Sequence, residues 1–123
     1  KFSEKILNDK KIDLYNNGNH ERDFTYIDDA IKMVLKVIKK IPKKKSFFQV
    51  FNIATGKPKK LFQYLKIIEK NLKKKAKINY LPLQKGDVIK THSKVKIDIR
   101  LKNTTSIEKG IKIFISWYLS YLK

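Results

Sequence analysis

The sequence predicts an α/β fold, built from short strands and amphipathic helices. Three observations carry this. Apolar residues recur at helical spacing in the sets Ile31, Val34, Leu35, Ile38; Leu61, Tyr64, Leu65, Ile68, Leu72; and Ile107, Ile111, Phe114, Ile115, Tyr118, Leu122. Short runs rich in β-branched and aromatic residues stand between and before them, at 12–15, 47–54 and 78–81. The two kinds of segment alternate, which is the pattern of an α/β arrangement.

Each element follows from its residues. Residues 2–8 read as a helix, with Phe2 and Ile6 four apart. Residues 12–15 form a short strand. "NNGNHE", 16–21, is a turn cluster in which Gly18 can take a positive φ. Residues 22–26 are extended, being aromatic and β-branched. A helix follows, with Asp28 as its N-cap and Asp29 in its first turn, where a negative charge suits the dipole. Lys39 and Lys40 close it and Pro42 stops it. "PKKKS", 42–46, is a solvated loop; a localisation signal is a weak reading of such a run.

"FFQVFNIA", 47–54, is the strongest strand expectation of the chain. "TGKPKK" connects it to the second amphipathic helix, which Lys73 to Lys75 close in charge. Residues 78–81 are another strand, ended by Pro82, and 83–88 loop around Gly86. Residues 93–101 stay open between strand and short helix, because periodicity does not decide them. "TSIE" matches a capping box in which Thr105 and Glu108 bond reciprocally ahead of the last helix. There is no internal repeat and no linker rich in Pro, Gly or Ser.

The 123 residues suit one domain, with 41% hydrophobic content for a modest core. A chain of this size buries roughly two thirds of its unfolded surface. The absence of cysteine excludes disulfides and thiolate metal sites and fits a reducing, cytoplasmic setting. No apolar stretch reaches the roughly 18 residues of a membrane helix. The opening "KFSEKILNDKK" reads as the tail of a helix already under way, so the chain is expected to be a piece of something longer.

The net charge of +19 raises nucleic acid as a partner. Two observations favour coding composition instead. The basic residues are almost all Lys, with only Arg22 and Arg100 as arginine, whereas planar recognition of phosphate or guanine favours Arg. Lys, Ile and Asn are abundant together, as AT-rich codons produce. A small basic nucleic-acid-binding module stays as an alternative, against which the scattered lysines and the lack of a basic-aromatic motif weigh.

Catalytic constellations are scarce. His20 and His92 have no metal-ligand spacing, and each reads as an exposed or loop histidine. Asp28 and Asp29 read as cap and dipole partner rather than an acid/base pair. The four glycines are too dispersed to cradle a phosphate, and no Tyr is followed four residues later by Lys. Arg22 is more informative. Its planar fork suits a diphosphate, while the plain alternative is a surface pair with Glu21 or Asp23, worth little. Asp87 can accept from a ribose diol or from any nearby amide.

The motifs then resemble one family in order along nearly the whole chain. "GNHERDFTYIDDAI" resembles the Gly-x-x-x-Arg-Asp-Phe-Thr-Tyr-Ile-Asp-Asp segment of extended short-chain dehydrogenase/reductases acting on sugar nucleotides. "VFNIA" is similar to their Tyr-Asn-Ile-Gly strand, and "LPLQKGDVIKT" to their Leu-Pro-x-Gln-Pro-Gly-Asp-Val-x-x-Thr loop. "NTTSIEKGIKIFISWY" resembles their closing helix. Gln84, with Asp87 and Val88 after Gly86, points to UDP-glucuronate 4-epimerases within that family. Lys85 and Ala54 depart from it, standing where Pro and Gly are usual.

The resemblance implies that residues 1–123 are the C-terminal sugar-nucleotide-binding portion of a Rossmann-type epimerase. Arg22 would hold the UDP diphosphate, Tyr15 would lie against the uracil ring, and Asp87 would accept from the ribose hydroxyls. Gln84 would touch the phosphate or ribose side more weakly. NAD would bind to an N-terminal Rossmann domain absent from this chain, as would the catalytic Tyr and Lys, so this chain alone is expected to be inactive. The intact enzyme would be a cytoplasmic homodimer that interconverts UDP-glucuronate and UDP-galacturonate in polysaccharide biosynthesis, without a metal and without a membrane or nucleic-acid partner. A sibling dehydratase or decarboxylase on the same scaffold is the alternative.

Overall fold

The computed structural model describes residues 1–40, 48–94 and 99–122. Helix α1 (Phe2–Leu7) leads into strand β1 (Lys11–Tyr15), whose alternate side chains Ile12 and Leu14 are buried. A 3-10 turn (Asn16–Gly18) delivers the chain to β2 (Glu21–Arg22) and then to helix α2 (Ile27–Ile38). Strand β3 (Lys59–Lys60) runs into α3 (Leu61–Leu72), β4 (Lys77–Leu81) follows, and α4 (Ile107–Tyr121) closes the order. The fold is α/β, as expected.

Among the described residues two small sheets organise the chain. β1 and β4 pair in parallel, from Lys11 opposite Lys77 to Tyr15 opposite Leu81. α3 lies in the connection between them, as a parallel pair requires, and α1 and α3 pack on the pair through Ile6, Ile12, Leu65 and Ile68. β2 and β3 pair antiparallel over two residues each. The main core lies between the parallel sheet, α1, α3 and α4, and holds Ile6, Ile12, Leu65, Ile68, Ile111 and Ile115. A second, smaller cluster joins Met33, Ala54 and Ile99. Gly110 lets α4 approach the Tyr26 ring, because a Cβ there would stand 3.1 Å from Tyr26 Cδ2.

Several expectations are corrected. Residues 48–54 form no strand, and Phe48 is 91% exposed. An apolar strand of this kind needs neighbours on both sides. Both sheets are two-stranded, and among the described residues no strand pairs with this run. Phe47 and the loop at 42–46 lie outside the described residues, as do 95–98 of the open segment 93–101. The described remainder of that segment is neither helix nor strand. Of the extended run 22–26, only Arg22 belongs to a ladder.

The helix starts also differ in detail. The N-cap of α2 is Tyr26, with no side-chain cap, and both Asp28 and Asp29 lie in the first turn. Asp29 is buried, and its Oδ2 accepts from the Thr105 amide at 2.5 Å. Thr105 is therefore a donor to Asp29, and Ser106 caps α4 by accepting from the Lys109 amide at 3.2 Å. The apolar stripe of α2 faces outward: Ile31, Val34, Leu35 and Ile38 are all exposed. The buried face carries Asp29 and Met33 instead, because the Thr105 bond and the Met33 cluster fix the rotation of the helix.

Candidate functional site

Parallel strands present their carboxyl ends to one side, and ligand crevices in open α/β sheets form there. At that end of the β1–β4 pair stand Tyr15 and Leu81, with Gln84 three residues further on. The chain leaving β1 turns at once. Gly18 takes φ +78 beside Leu14, a conformation open to glycine. That turn buries His20 and places Arg22 at the corner.

The loop after β4 comes back along β2. The Glu21 amide donates to the Ile89 carbonyl at 2.9 Å, and the Thr91 amide donates to the Glu21 carbonyl at 3.0 Å. Lys90 Nζ lies 2.8 Å from Glu21 Oε2. This bonded ammonium holds the Glu21 carboxyl below the usual carboxylate range. The Asp87 amide donates to the Gln84 carbonyl at 3.0 Å, closing a turn around Gly86, whose φ is +84.

Arg22 and Asp87 meet across this junction. Arg22 Nη1 donates to the carbonyls of Glu21 at 3.0 Å and Ile89 at 3.2 Å, while Nη2 donates to Asp87 Oδ1 at 3.2 Å. The plain alternative of a pair with Glu21 or Asp23 is thereby replaced: the carboxylate partner comes from 65 residues away. The two side chains are 28% and 31% exposed, so solvent and an anion can reach them. Arginine has five N–H donors, and these contacts leave Nε–H and part of Nη2 free for an anion. The Asp87 side chain is engaged too. Its Oδ2 lies 3.0 Å from His20 Nε2, although off the line of a hydrogen bond.

His20 lies in a loop, as expected, but is 2% exposed and sits behind Asp87, while His92 is exposed. Tyr15 is 39% exposed at the same sheet end, and Gln84 is exposed one turn from Asp87. The structure thus joins Arg22 to Asp87 directly, links Gln84 to Asp87 through a backbone turn, and puts Tyr15 at the shared end without uniting it with the pair.

Asp23 is a residue that sequence reasoning missed. Its Oδ1 accepts from the Thr55 amide at 3.1 Å and from Thr55 Oγ1 at 2.5 Å, and its Oδ2 accepts from the Gly56 amide at 2.8 Å. Its own amide donates to Thr91 Oγ1 at 3.1 Å. Asp23 therefore ties the 55–56 turn and the 89–91 loop to the corner that carries Arg22. Its place after Arg22 in the Arg-Asp-Phe-Thr-Tyr segment was the signal available in sequence. Among the described residues no group of His, Asp and Glu is arranged to hold a metal ion.

Comparison with known proteins shows what the chain is similar to. Residues 1–54 match the NAD dependent epimerase/dehydratase family. An uncharacterized protein of Methanocaldococcus jannaschii is 43% identical over 97% of this chain and 36% of its own length. UDP-glucuronate 4-epimerase 4 of Arabidopsis thaliana is 34% identical over 98% of this chain and 31% of its own length. The fold superimposes with a TM-score of 0.81 on the UDP-glucuronic acid 4-epimerase of Bacillus cereus in complex with UDP-glucuronic acid and NAD. That match is 25% identical over 99% of this chain and 39% of that one. The chain thus spans about a third of the curated relatives' length.

Proposed function

We propose that the chain, a member of the NAD-dependent epimerase/dehydratase family by its similarity, forms the UDP-sugar-binding portion of a UDP-sugar 4-epimerase. The observation that carries this reading is Arg22, anchored on two carbonyls and one carboxylate with free N–H groups at the carboxyl end of a parallel strand pair. A diphosphate is the ligand that such a guanidinium fork suits. Tyr15 lies against the uracil ring, a role its flat, amphipathic ring allows. Asp87 and Gln84 take the ribose side. The sugar is glucuronate or galacturonate, and the whole protein interconverts the two by inverting C4. Similarity to the Arabidopsis and Bacillus 4-epimerases supports that finer choice.

This chain does not fit NAD. Its four glycines are dispersed, and it has no Tyr and Lys four apart on a helix. What its residues supply is binding and orientation: a cation for the diphosphate and a surface against which the nucleotide is held.

Titration of the chain with UDP-glucuronate, followed by calorimetry or by backbone amide shifts, tests the reading. Arg22→Ala is expected to weaken binding at least tenfold, since a charge-assisted contact contributes about 1.5–3 kcal/mol. An unchanged affinity in Arg22→Ala overturns the assignment. For the finer choice, the whole protein should convert UDP-glucuronate to UDP-galacturonate; turnover of UDP-glucose alone overturns it.

A further inference from the structure

We propose that His20 is a positioning residue for Arg22 and acts through Asp87; this rests on the reading of Arg22 as the diphosphate-binding group. The His20 ring is 2% exposed, and its Nε2 has no hydrogen-bond partner. Buried polar atoms are seldom left so. The Asp87 Oδ2 atom stands 3.0 Å away, at bonding distance but off axis. A small turn of that carboxylate closes an Nε2–H bond to it. The His20 backbone is itself pinned, since its carbonyl accepts from the Leu61 amide at 2.8 Å at the junction of β3 and α3. The buried ring is therefore the more confined partner, and the partly exposed carboxylate has the room to turn.

Asp87 divides its two oxygens between the two bases: Oδ1 faces Arg22 Nη2 at 3.2 Å and Oδ2 faces His20. The division matters to an incoming anion. A carboxylate that turns both oxygens to a guanidinium makes the bidentate fork, which takes a second N–H and neutralises the group more fully. His20 holds Oδ2 back, so Arg22 keeps that N–H for a phosphate oxygen. When the anion arrives, its charge repels Asp87, and His20 offers the displaced carboxylate a donor. Without His20, Asp87 closes onto Arg22 and competes with the ligand.

A double-mutant cycle with UDP-glucose as the probe tests this, read by calorimetry on the full chain. His20→Leu fills the space without a donor and is expected to weaken binding about tenfold. His20→Gln can place an amide N–H near Oδ2 and should restore most of the affinity. In an Asp87→Asn background, His20→Leu should change affinity less than twofold. An equal loss in both backgrounds makes His20 a structural residue and overturns the proposal, as does a His20→Leu chain that binds like wild type. A ligand-free reading separates this from the site assignment itself. The Arg22 guanidinium ¹⁵N–¹H signals should shift in His20→Leu and stay near wild type in His20→Gln. Unmoved signals in His20→Leu overturn the proposal even where UDP-glucose fails to bind; failure of binding, or indifference to Arg22→Ala, counts against the site assignment instead.

Discussion

Single carboxylates do much of the joining in this lysine-rich chain. Asp23 receives three hydrogen bonds from Thr55 and Gly56, all at one part-buried corner. Bonds to a charged acceptor are the stronger kind, and removing the acceptor leaves two backbone amides without their partner. Asp23→Ala is expected to destabilise the fold by about 2 kcal/mol. Urea denaturation checks this, and a midpoint equal to wild type contradicts it. Other carboxylates act at the surface. The Asp9 carboxyl is held below its ordinary range chiefly by the bonded Lys74 ammonium, Asp13 by the Asn79 amide, and Glu21 by Lys90. Each is lower in the folded chain than in the unfolded one, so each stabilises the fold above its unfolded value and loses that effect as pH falls through its folded value. Thermal stability should therefore be level above about pH 5 and fall progressively below about pH 4. Lys74→Ala should make the acid fall shallower; a melting profile flat to pH 2.5 would show that these pairs contribute nothing. The exposed setting keeps each contribution small.

Among the elements, the turn between β1 and β2 sets where the corner residues go. Gly18 lies at φ +78, and a Cβ there would stand 2.7 Å from Cδ2 of buried Leu14. Gly86 has φ +84 but open space around it. Gly86→Ala should cost about 1 kcal/mol for backbone strain alone, and Gly18→Ala about 2 kcal/mol because Leu14 must also move. Equal losses in thermal or urea melts would remove the packing part of this argument. The same elements show what a sequence conveys. β1, α3 and α4 were legible because one buried face imposes a period of 2 or 3.6, and Leu65, Ile68, Ile111 and Ile115 are buried as their spacing requires. The strand expected at 47–54 is absent over 48–54, because strand structure depends on a partner that lies elsewhere in the chain. The stripe of α2 was correctly seen as apolar, but periodicity does not say what covers it, and Asp29 and Met33 turned inward instead. At the site, Arg22 and Asp87 stood out through motif resemblance. Their pairing with each other, and the burial of His20, depend on a contact 65 residues long that no local pattern encodes.

Taken as a whole, the molecule carries +19 while its candidate site rests on one arginine, so two modes of anion binding have to be told apart. The lysines spread along the chain attract any polyanion by releasing its counterions, a process that ignores geometry and fades with salt. Arg22 is different in kind, since it is fixed by Glu21, Ile89 and Asp87 and its planar fork suits a single small anion. A DNA duplex should therefore bind at 50 mM salt and lose about a thousandfold in affinity by 200 mM, the slope of some six neutralised phosphates. Arg22→Ala should leave that binding within twofold of wild type, because it removes one charge among 30 basic residues. UDP-glucuronate binding should show the reverse pattern, with shallow salt dependence and a large loss in Arg22→Ala. Competition fluorescence at the two salt concentrations reads both. Duplex binding that survives 200 mM salt, or that falls with Arg22 removed, would mean that the basic surface is itself a recognition site. In that case the excess of lysine would need a functional explanation in place of a compositional one.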